Sequence, residues 1–491
     1  MQADLVQAHQ TAAAPAIRRA PSEALLAQLQ ALLGPRLVRS AAECMQHGSD
    51  ESGYAPQPPD AVAYVETTDE VAQVVALCDA AAVPVIAFGV GSSVEGHVLA
   101  VHGGICVDLS RMNAVLAIEP DNLTATAQAG VTRLALNAAL AGSGLFFSVD
   151  PGADASLGGM VATGASGTNT VRYGTMRDNT VSLVVVTAQG KVVRTASHAR
   201  KSSAGYNLTQ LFAGSEGTLG IVTEVTVRLH PQPEHVAAAV VNFPSIGAAV
   251  QTVIQAIQMG VPLARAELLD ALSVRAINAH SRTAHREAPT VFFEFCGGRA
   301  QVEEHAATVA ELAQQNGGGD FQWATLPEER SRLWQPRHHA YFAALQLKPG
   351  CRSFTTDACV PLASLGACIA ETLQDIACLG LPVPLLGHVG DGNFHCLVLA
   401  DPKNSAEVDL AEAFCARLAH RAIRFGGTCT GEHGVGLHKQ PYLVAEHGAD
   451  AVELMARIKR ALDPNNILNP GKVVAWDAQP EVSTGVQGRG D

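Results

Sequence analysis

The chain has 491 residues, of which 47% are hydrophobic and 16% charged, and this much apolar material excludes wholesale disorder. The 33 basic and 46 acidic side chains give a formal net charge of −13, which disfavours binding to a phosphate backbone, and no local basic patch offsets it. The 11 cysteines include no C-x-x-C pair and no apolar run approaches the roughly 18 residues of a membrane span, so we expect a cytoplasmic protein with no nucleic-acid partner and no transmembrane segment.

The first part of the chain, residues 1–55, is predicted to be a helical lead-in. Leucines recur there at helical spacing until Gly34-Pro35 ends the pattern. The N-terminus lacks the apolar core of a secretory signal. Its two arginines and few acids leave organelle targeting open as an alternative to the cytoplasm.

A first domain of alternating short strands and helices is predicted for residues 56–233. Its clearest strand, Val83–Phe88, is apolar and leads directly into a glycine-rich loop. Pro231-Gln-Pro233 marks the end of this domain, because proline interrupts both helices and sheets.

A second domain, α+β with a mainly antiparallel sheet, is predicted for residues 234–425. Strand patterns such as Val236–Phe243 alternate there with helix patterns such as Ile246–Met259. Residues 426–475 form a C-terminal segment with one further amphipathic helix, Ala449–Leu462. The polar residues 476–491 are predicted to be a flexible tail.

Three glycine-rich stretches in the first domain, residues 88–96, 151–167 and 214–220, are candidate ligand loops. Glycine lets backbone N–H groups approach a ligand and form a nest for an anion, although a single such loop is more often only a tight turn. The presence of three such glycine-rich loops, none of which contains a lysine, favours a large ligand with a diphosphate. The sequence contains neither a G-x-G-x-x-G fingerprint nor a G-x-x-x-x-G-K-[ST] phosphate loop, so the usual dinucleotide and P-loop sites are not predicted.

Two histidines are predicted to face each other in the segment Pro384–Leu399. Apolar runs flank Asp391-Gly392, which is a type I′ hairpin signal, and pairing outward from that turn places His388 opposite His395. Opposed side chains share one face about 5 Å apart, so the two imidazoles could bind one divalent ion. The alternative is a pair of structural histidines bonded to backbone carbonyls, and the spacing alone does not separate the two.

A second polar cluster, Glu432-His433, lies in the glycine-flanked segment Cys429–Gly436. A carboxylate could complete a metal site of two histidines and one glutamate, and such a site leaves positions open for a substrate. Zinc, manganese and iron all accept these ligands. The alternative is a solvated pair on a loop.

The glycine-rich segments resemble those of a known family. The loop at residues 88–96, PGADASLGGMVATGASGTNTVRYGTMRDN (151–179) and GSEGTLGIVTEVTVRLHP (214–231) resemble the FAD domain of the vanillyl-alcohol-oxidase-type flavoproteins. More closely, about residues 55–475 are similar to the FAD-linked D-lactate dehydrogenases and the glycolate oxidase D-type flavoproteins. The resemblance implies an α+β protein with a two-subdomain, PCMH-type FAD-binding fold, an α+β cap domain for the substrate that carries the histidine hairpin, and a C-terminal segment that returns to the FAD domain.

The resemblance also implies how FAD is bound. The first loop would wrap the FAD diphosphate, and the other two stretches would line the adenosine and isoalloxazine regions. Some relatives attach FAD covalently through a histidine in the first loop, whereas this chain has serine there and His97 further on, which favours non-covalent FAD. The implied FAD-binding residues are Gly91, Ser92, Ser93, Gly152, Ser156, Gly159, Ser166, Gly167, Glu216, Gly220, Ile221 and Asn469.

The polar residues of the second half receive roles from the same resemblance. His388, His395 and Glu432 match the family's ligands of a divalent metal (zinc, manganese or iron), and His433 matches its catalytic base. Arg337 matches the arginine that binds a substrate carboxylate. On its residue type and neighbours alone, an arginine on the surface of a helix would be the alternative.

Two departures from related 2-hydroxyglutarate enzymes bear on the substrate. Those relatives carry a lysine where this chain has Thr355 and an asparagine where it has Leu397. Without these groups to hold a second carboxylate, the implied substrate is a small monocarboxylate.

The implied function is a metal-assisted, FAD-dependent oxidation of a small D-2-hydroxy acid, with D-lactate favoured, to the 2-oxo acid. His433 would act as general base, and a hydride would pass to flavin N5. The electron acceptor is unidentified and could be a cytochrome, a quinone or an electron-transfer flavoprotein, through which the protein could be peripheral to a membrane. The alternatives are a dehydrogenase for glycolate or a bulkier 2-hydroxy acid, a flavin-binding subunit of a larger oxidase complex, and a non-redox metal hydrolase.

Overall fold

The computed structural model describes residues 17–52 and 54–476. Residues 1–16 of the predicted lead-in and residues 477–491 of the predicted tail lie outside the described part of the chain.

A four-stranded sheet forms the first layer of the N-terminal half, with strand order β1-β2-β4-β3. Strands β2 and β3 both run parallel to β4, whereas β1 is antiparallel to β2 and brings part of the predicted lead-in into the sheet. The helices here begin at hydroxyl caps, such as Thr67, whose Oγ1 accepts from the Glu70 N–H. The elements are α1 (Glu23–Leu33), β1 (Leu37–Val38), α2 (Ala41–His47), β2 (Ala61–Tyr64), α3 (Thr68–Ala80), β3 (Val85–Phe88) and β4 (Ile105–Asp108).

A five-stranded antiparallel sheet, in the order β5-β6-β10-β8-β9, forms the second layer of this half. Its long central strands are rich in valine, isoleucine and threonine, which suit a pleated surface covered by helices. The elements are β5 (Val115–Glu119), β6 (Thr124–Gln128), α4 (Arg133–Ala139), β7 (Leu145–Phe146), α5 (Leu157–Thr163), α6 (Thr170–Tyr173), α7 (Met176–Asn179), β8 (Thr180–Val186), β9 (Val192–Arg194), α8 (Leu208–Phe212), β10 (Ile221–Arg228) and β11 (His230–Pro231), which pairs with β7.

The second half is built on a large antiparallel sheet in the order β15-β12-β14-β13-β18-β19-β16, and β17 also pairs with β19. One face packs on α9, α11, α13 and α14, and the other on α10 and α12. The elements are β12 (His235–Asn242), α9 (Ile246–Gln258), β13 (Leu263–Leu269), α10 (Ala271–Ser281), β14 (Thr290–Gly297), α11 (Arg299–Gln315), β15 (Gln322–Ala324), α12 (Pro327–Leu345), β16 (Arg352–Thr355), β17 (Ala358–Cys359), α13 (Leu362–Leu379), β18 (Leu385–His388), β19 (Asn393–Ala400) and α14 (Ser405–Arg424).

The C-terminal segment contains α15 (Leu443–His447) and α16 (Ala449–Leu462) and then returns to the first sheet. There Val85 donates its N–H to Ile467 O at 2.7 Å, and Asn469 donates its N–H to Val85 O at 2.8 Å. The chain after α16 therefore lies along the edge of β3, next to the glycine-rich loop that follows that strand.

Among the described helices, α13 alone is long and apolar enough to cross a membrane, with a mean hydropathy of 1.3. This is weak evidence for a span, because the core helix of a soluble protein passes the same test. Leu365, Cys368 and Ile369 of α13 are buried in the core of the second half.

Candidate active site

One cavity of about 1610 Å³ lies between the glycine-rich loops of the N-terminal half and the face of the large sheet that α12 covers. Its walls come from the loop after β3, the chain around α5, the start of β10, strands β18 and β19, and the loop after α14. Every residue predicted to bind FAD or metal, or to act in catalysis, lines this cavity: Gly91, Ser92, Ser93, Gly152, Ser156, Gly159, Ser166, Gly167, Glu216, Gly220, Ile221, Arg337, His388, His395, Glu432, His433 and Asn469.

The first loop has the features of an anion nest. Among the described residues, no protein oxygen accepts a hydrogen bond from the backbone N–H groups of residues 89–93, which line the cavity. Gly91 has φ +69°, which presents successive N–H groups on one side of the chain. At Gly89 an added Cβ would lie 2.4 Å from Ser156 Oγ, so the loop and the start of α5 are in close contact. These residues fit the diphosphate of FAD.

Glu216 and Asn469, both predicted to bind FAD, use their polar side-chain atoms on the protein itself. The Glu216 carboxylate accepts from the N–H groups of Val435 at 2.6 Å and Gly436 at 2.8 Å. The Asn469 amide donates to His97 O at 3.0 Å and to Glu216 O at 2.9 Å. Both side chains therefore anchor C-terminal residues to the N-terminal half and shape the cavity wall.

Three side chains converge at the opposite wall of the cavity. Glu432 Oε1 lies 3.4 Å from His388 Nε2 and 3.3 Å from His395 Nε2. The Nδ1 of His388 lies 2.7 Å from Glu267 Oε1, and that of His395 lies 3.0 Å from Thr356 O. Because a carboxylate and a carbonyl can only accept, each Nδ1 carries a proton, and each Nε2 would be the atom that offers its lone pair to a bound cation. This donor set fits a divalent metal.

The predicted hairpin register is wrong by two residues. His395 pairs with Leu386 rather than with His388, and the strands are joined by four residues, 389–392. A type I′ turn needs positive φ at both central residues, but in the pair Asp391-Gly392 only the glycine has it. His388 is therefore a diagonal neighbour of His395 on the same face, and their ring centroids still lie 5.6 Å apart.

A second group of possible ligands, Asp357, His395 and His433, lies close to the first. Asp357 Oδ2 accepts from the backbone N–H groups of Glu432 and His433, each at 2.8 Å, and from the Thr430 hydroxyl at 2.9 Å. With these lone pairs in use, the buried Asp357 carboxylate fixes the loop that carries Glu432 and His433 rather than offering a metal site.

His433 faces the cavity with its ring stacked on that of His395, at a centroid distance of 5.2 Å. Its Nδ1 lies 3.6 Å from Glu95 Oε1 and 4.0 Å from Asp357 Oδ2, which leaves Nε2 to meet a ligand. Burial lowers the pKa of His433, but these carboxylates outweigh burial and raise it above its ordinary value. A divalent cation bound next to His433 would lower its pKa again, because it disfavours the positively charged imidazolium.

Arg337 is part of the cavity wall on α12, and its side chain is only 14% exposed. Its Nε and Nη2 donate to Glu267 Oε2 at 2.9 and 2.7 Å, which leaves the outer edge of the guanidinium, Nη1 and Nη2, for a ligand. This burial does not match the alternative of a surface arginine.

Sequence reasoning missed several groups that support the site. Glu267 is 1% exposed and contacts both His388 and Arg337. Lys439 Nζ lies 2.8 Å from Glu95 Oε1, next to His433. A carboxylate in the strand-like run Leu263–Leu269, where the only other charged residue is Arg265, was a signal for Glu267, since a buried charge needs a partner.

Comparison with known proteins gives two family matches. The model of the FAD binding domain matches residues 59–196, and that of the C-terminal domain of FAD linked oxidases matches residues 232–473. The probable mitochondrial D-lactate dehydrogenase of Danio rerio is 48% identical over 87% of this chain and 87% of that relative. The mitochondrial D-lactate dehydrogenase [cytochrome] of Arabidopsis thaliana is 42% identical over 93% of this chain and 81% of that relative. The glycolate oxidase subunit GlcD of Bacillus subtilis is 35% identical over 86% and 91%.

Solved structures show the same fold at low identity. The 4-ethylphenol oxidase of Gulosibacter chungangensis superposes with a TM-score of 0.75 at 18% identity and covers 93% of this chain and 98% of its own. The p-cresol methylhydroxylase structure gives a TM-score of 0.74 at 18% identity over the same shares. At this identity the likeness concerns the fold alone, and it confirms the predicted α+β FAD-binding architecture.

Proposed function

The chain belongs to the family of FAD-linked D-lactate dehydrogenases and glycolate oxidase D-type flavoproteins, and from this premise we propose that it oxidises a small D-2-hydroxy acid, D-lactate in the first place, to the 2-oxo acid. One observation carries the proposal. His388, His395 and Glu432 of the C-terminal half converge within hydrogen-bonding range in a cavity whose other wall is the anion nest of the N-terminal half.

The residues of the cavity have separate roles in the proposed reaction. Arg337 binds the substrate carboxylate through the outer edge of its guanidinium, which fixes the distance and the face that the α-carbon presents. His433 Nε2 accepts the proton of the substrate hydroxyl. FAD bound in this cavity would supply flavin N5 as the acceptor of the α-hydrogen and its electron pair. His388, His395 and Glu432 would hold a divalent cation (zinc, manganese or iron), a Lewis acid that lowers the pKa of a bound hydroxyl.

The substrate side of the proposal rests on three uncharged residues that line the cavity beside the two histidines. Leu386 and Leu397 lie on the same sheet face as the two histidines, and Thr355 stands at the end of β16. None of these can pair with a second carboxylate, so a short apolar substituent such as the methyl group of lactate is favoured. Glycolate and a bulkier 2-hydroxy acid are the alternatives.

For the electron acceptor we propose a cytochrome, because the relative from Arabidopsis thaliana bears that acceptor in its name. A quinone and an electron-transfer flavoprotein are the alternatives. Non-covalently bound FAD is compatible with each of these three acceptors. We place the protein in the cytoplasm, peripheral to a membrane through this acceptor.

Anaerobic bleaching of the flavin tests the proposal. The purified protein is mixed without oxygen with D-lactate, L-lactate or glycolate, and the flavin absorbance near 450 nm is followed. We expect fast bleaching with D-lactate and little with L-lactate. Fast bleaching by L-lactate, or none with any of the three acids, would contradict the proposal. Turnover with an artificial dye acceptor then separates a self-sufficient enzyme from a flavin-binding subunit that is inactive alone.

A further inference from the structure

Glu267 contacts two parts of the site that have separate tasks. Its Oε1 lies 2.7 Å from His388 Nδ1, and its Oε2 accepts from Arg337 Nε at 2.9 Å and Nη2 at 2.7 Å. The carboxylate is 1% exposed, so no solvent competes for these contacts. A single buried group therefore holds one metal-ligand histidine and the carboxylate-binding arginine together.

The fold makes this arrangement through strand register. Strand β13 pairs with β18 so that Glu267 lies directly opposite His388, and directly opposed residues share one face of a sheet. The flanking residues Ala266 and Leu268 point into the core on the opposite face. Helix α12 crosses the face of Glu267 and brings Arg337 to it.

Packing alone does not account for a charge at this position. Position 267 lies in a buried strand, where an apolar side chain would stabilise the sheet without the cost of removing a carboxylate from water. His388 Nδ1 and the Arg337 guanidinium offset this cost by contacting both oxygens of the Glu267 carboxylate. Both neighbours that make the charge tolerable are residues of the proposed site.

We propose that Glu267 is a positioning residue that sets the spacing between the metal site and the substrate arginine, and thereby selects acids whose hydroxyl is on the carbon next to the carboxylate. The inference rests on the proposed function. The two oxygens of Glu267 are separated by one carbon atom, so His388 and Arg337 are anchored side by side. This placement favours a substrate that carries its hydroxyl and its carboxylate on adjacent carbons.

The contacts of Glu267 also define which atoms remain for the ligands. Its Oε1 keeps a proton of His388 on Nδ1, so Nε2 would be the atom that coordinates a cation. Its Oε2 takes the inner edge of the Arg337 guanidinium, so the substrate carboxylate meets the outer edge in a single orientation.

Glu267→Gln is the first test, with Glu294→Gln as matched control. Glu294 lies on the neighbouring strand β14 and contacts Arg265, at 3.6 Å, rather than His388 or Arg337. The FAD-loaded, metal-stripped proteins are titrated with Mn²⁺ alone against a chelator. We expect Mn²⁺ affinity to fall about 10–100-fold in Glu267→Gln and to stay within about twofold in the control. Unchanged affinity in Glu267→Gln would overturn the proposal.

Steady-state kinetics distinguish a positioning role of Glu267 from a general loss of structural integrity. For Glu267→Gln we expect KM for D-lactate to rise more than kcat falls, and the preference for D-lactate over D-3-hydroxybutyrate in kcat/KM to drop about tenfold or more. An equal loss for both acids would refute the spacing role. If wild-type protein binds Mn²⁺ but D-lactate does not reduce its flavin, the proposed function fails while the Mn²⁺ arm still decides the role of Glu267.

A double-mutant cycle keeps the test decisive if the glutamine variant folds poorly. Arg337→Met removes one partner of Glu267 without touching His388, and Glu267→Asp keeps the charge but shortens the side chain. If Glu267 couples the two groups, Arg337→Met weakens Mn²⁺ binding in the wild-type background and adds little in the Glu267→Asp background. Strictly additive effects would show that the pair is only structural.

Discussion

Ser166 and Glu432 are 266 residues apart in the chain, and the Ser166 hydroxyl donates a hydrogen bond to Glu432 Oε2 at 2.7 Å. This bond leaves Oε1 to face the Nε2 atoms of His388 and His395. A serine from the chain after α5 thus orients a carboxylate from the loop after α14. The proposed metal site and the FAD-binding half are joined by a direct contact, which couples formation of one to the placement of the other.

Removing this hydroxyl should weaken metal binding. In Ser166→Ala the Glu432 carboxylate loses the group that holds Oε2, and loss of such an outer partner weakens a metal site about 10-fold or more. We expect that loss in Mn²⁺ titrations, with FAD still bound. Ser166→Thr keeps a hydroxyl and serves as the control. Equal affinities for the alanine variant and wild type would show that Oε2 needs no partner.

His433→Ala should block the reductive step and leave the flavin in place. The proton of the substrate hydroxyl then has no acceptor, and loss of a general base slows such steps about 10²–10⁴-fold. Anaerobic stopped-flow absorbance at the flavin band gives the rate of reduction by D-lactate. His447→Ala, which changes a histidine 39% exposed on α15, is the control. A His433→Ala protein that is reduced at the wild-type rate would remove His433 from the mechanism.

Arg337→Lys should separate substrate binding from chemistry. Lysine keeps the positive charge but not the planar fork, so it cannot contact Glu267 and the substrate carboxylate along two edges at once. We expect KM for D-lactate to rise about tenfold or more, with a smaller fall in kcat, in steady-state assays with a dye acceptor. If kcat alone changes, Arg337 does not hold the carboxylate in the ground state.

Many elements of the fold could be predicted from local sequence patterns. The strand β12 is a short apolar run of valine and alanine, and the helix α9 has apolar residues every three to four positions. Pro231 and Pro233 mark the passage between the halves. The helix α12 was not predicted, because it is largely polar and contains Pro336 in its interior. Its stability comes from packing on the large sheet, which no window of sequence displays.

The residue types of the candidate site could be predicted from the sequence, but their arrangement in space could not. The resemblance supplied ligands and roles, and the cavity brings those residues together. The hairpin register was predicted from the turn alone, whereas Gly390 and Gly392 are held by long-range contacts: an added Cβ would lie 2.8 Å from Val171 Cγ2 and 2.1 Å from Val360 O, respectively. Glu267 owes its role to a strand partner 121 residues away, so only the folded chain reveals it.

A buried ion pair beneath the first sheet should give folding a defined pH dependence. His47 is 3% exposed, with Nε2 at 2.8 Å from Asp108 Oδ2 and Nδ1 at 2.9 Å from Glu43 O. Both acceptors lack a proton to give, so both ring nitrogens donate and the ring is an imidazolium. Burial lowers the pKa of His47, but the Asp108 carboxylate and the Glu43 carbonyl raise it above 6.5 overall.

Because the pKa of His47 is higher in the folded than in the unfolded chain, its stabilisation is complete below about pH 6.5 and is lost as pH rises through the folded value. We expect His47→Gln to lower the free energy of unfolding by about 1.5–3 kcal/mol at about pH 6, and the difference from wild type to shrink toward about pH 9. Urea unfolding across this range measures it, with the exposed His447→Gln as control. A difference that grows with pH would mean that His47 is neutral in the folded protein.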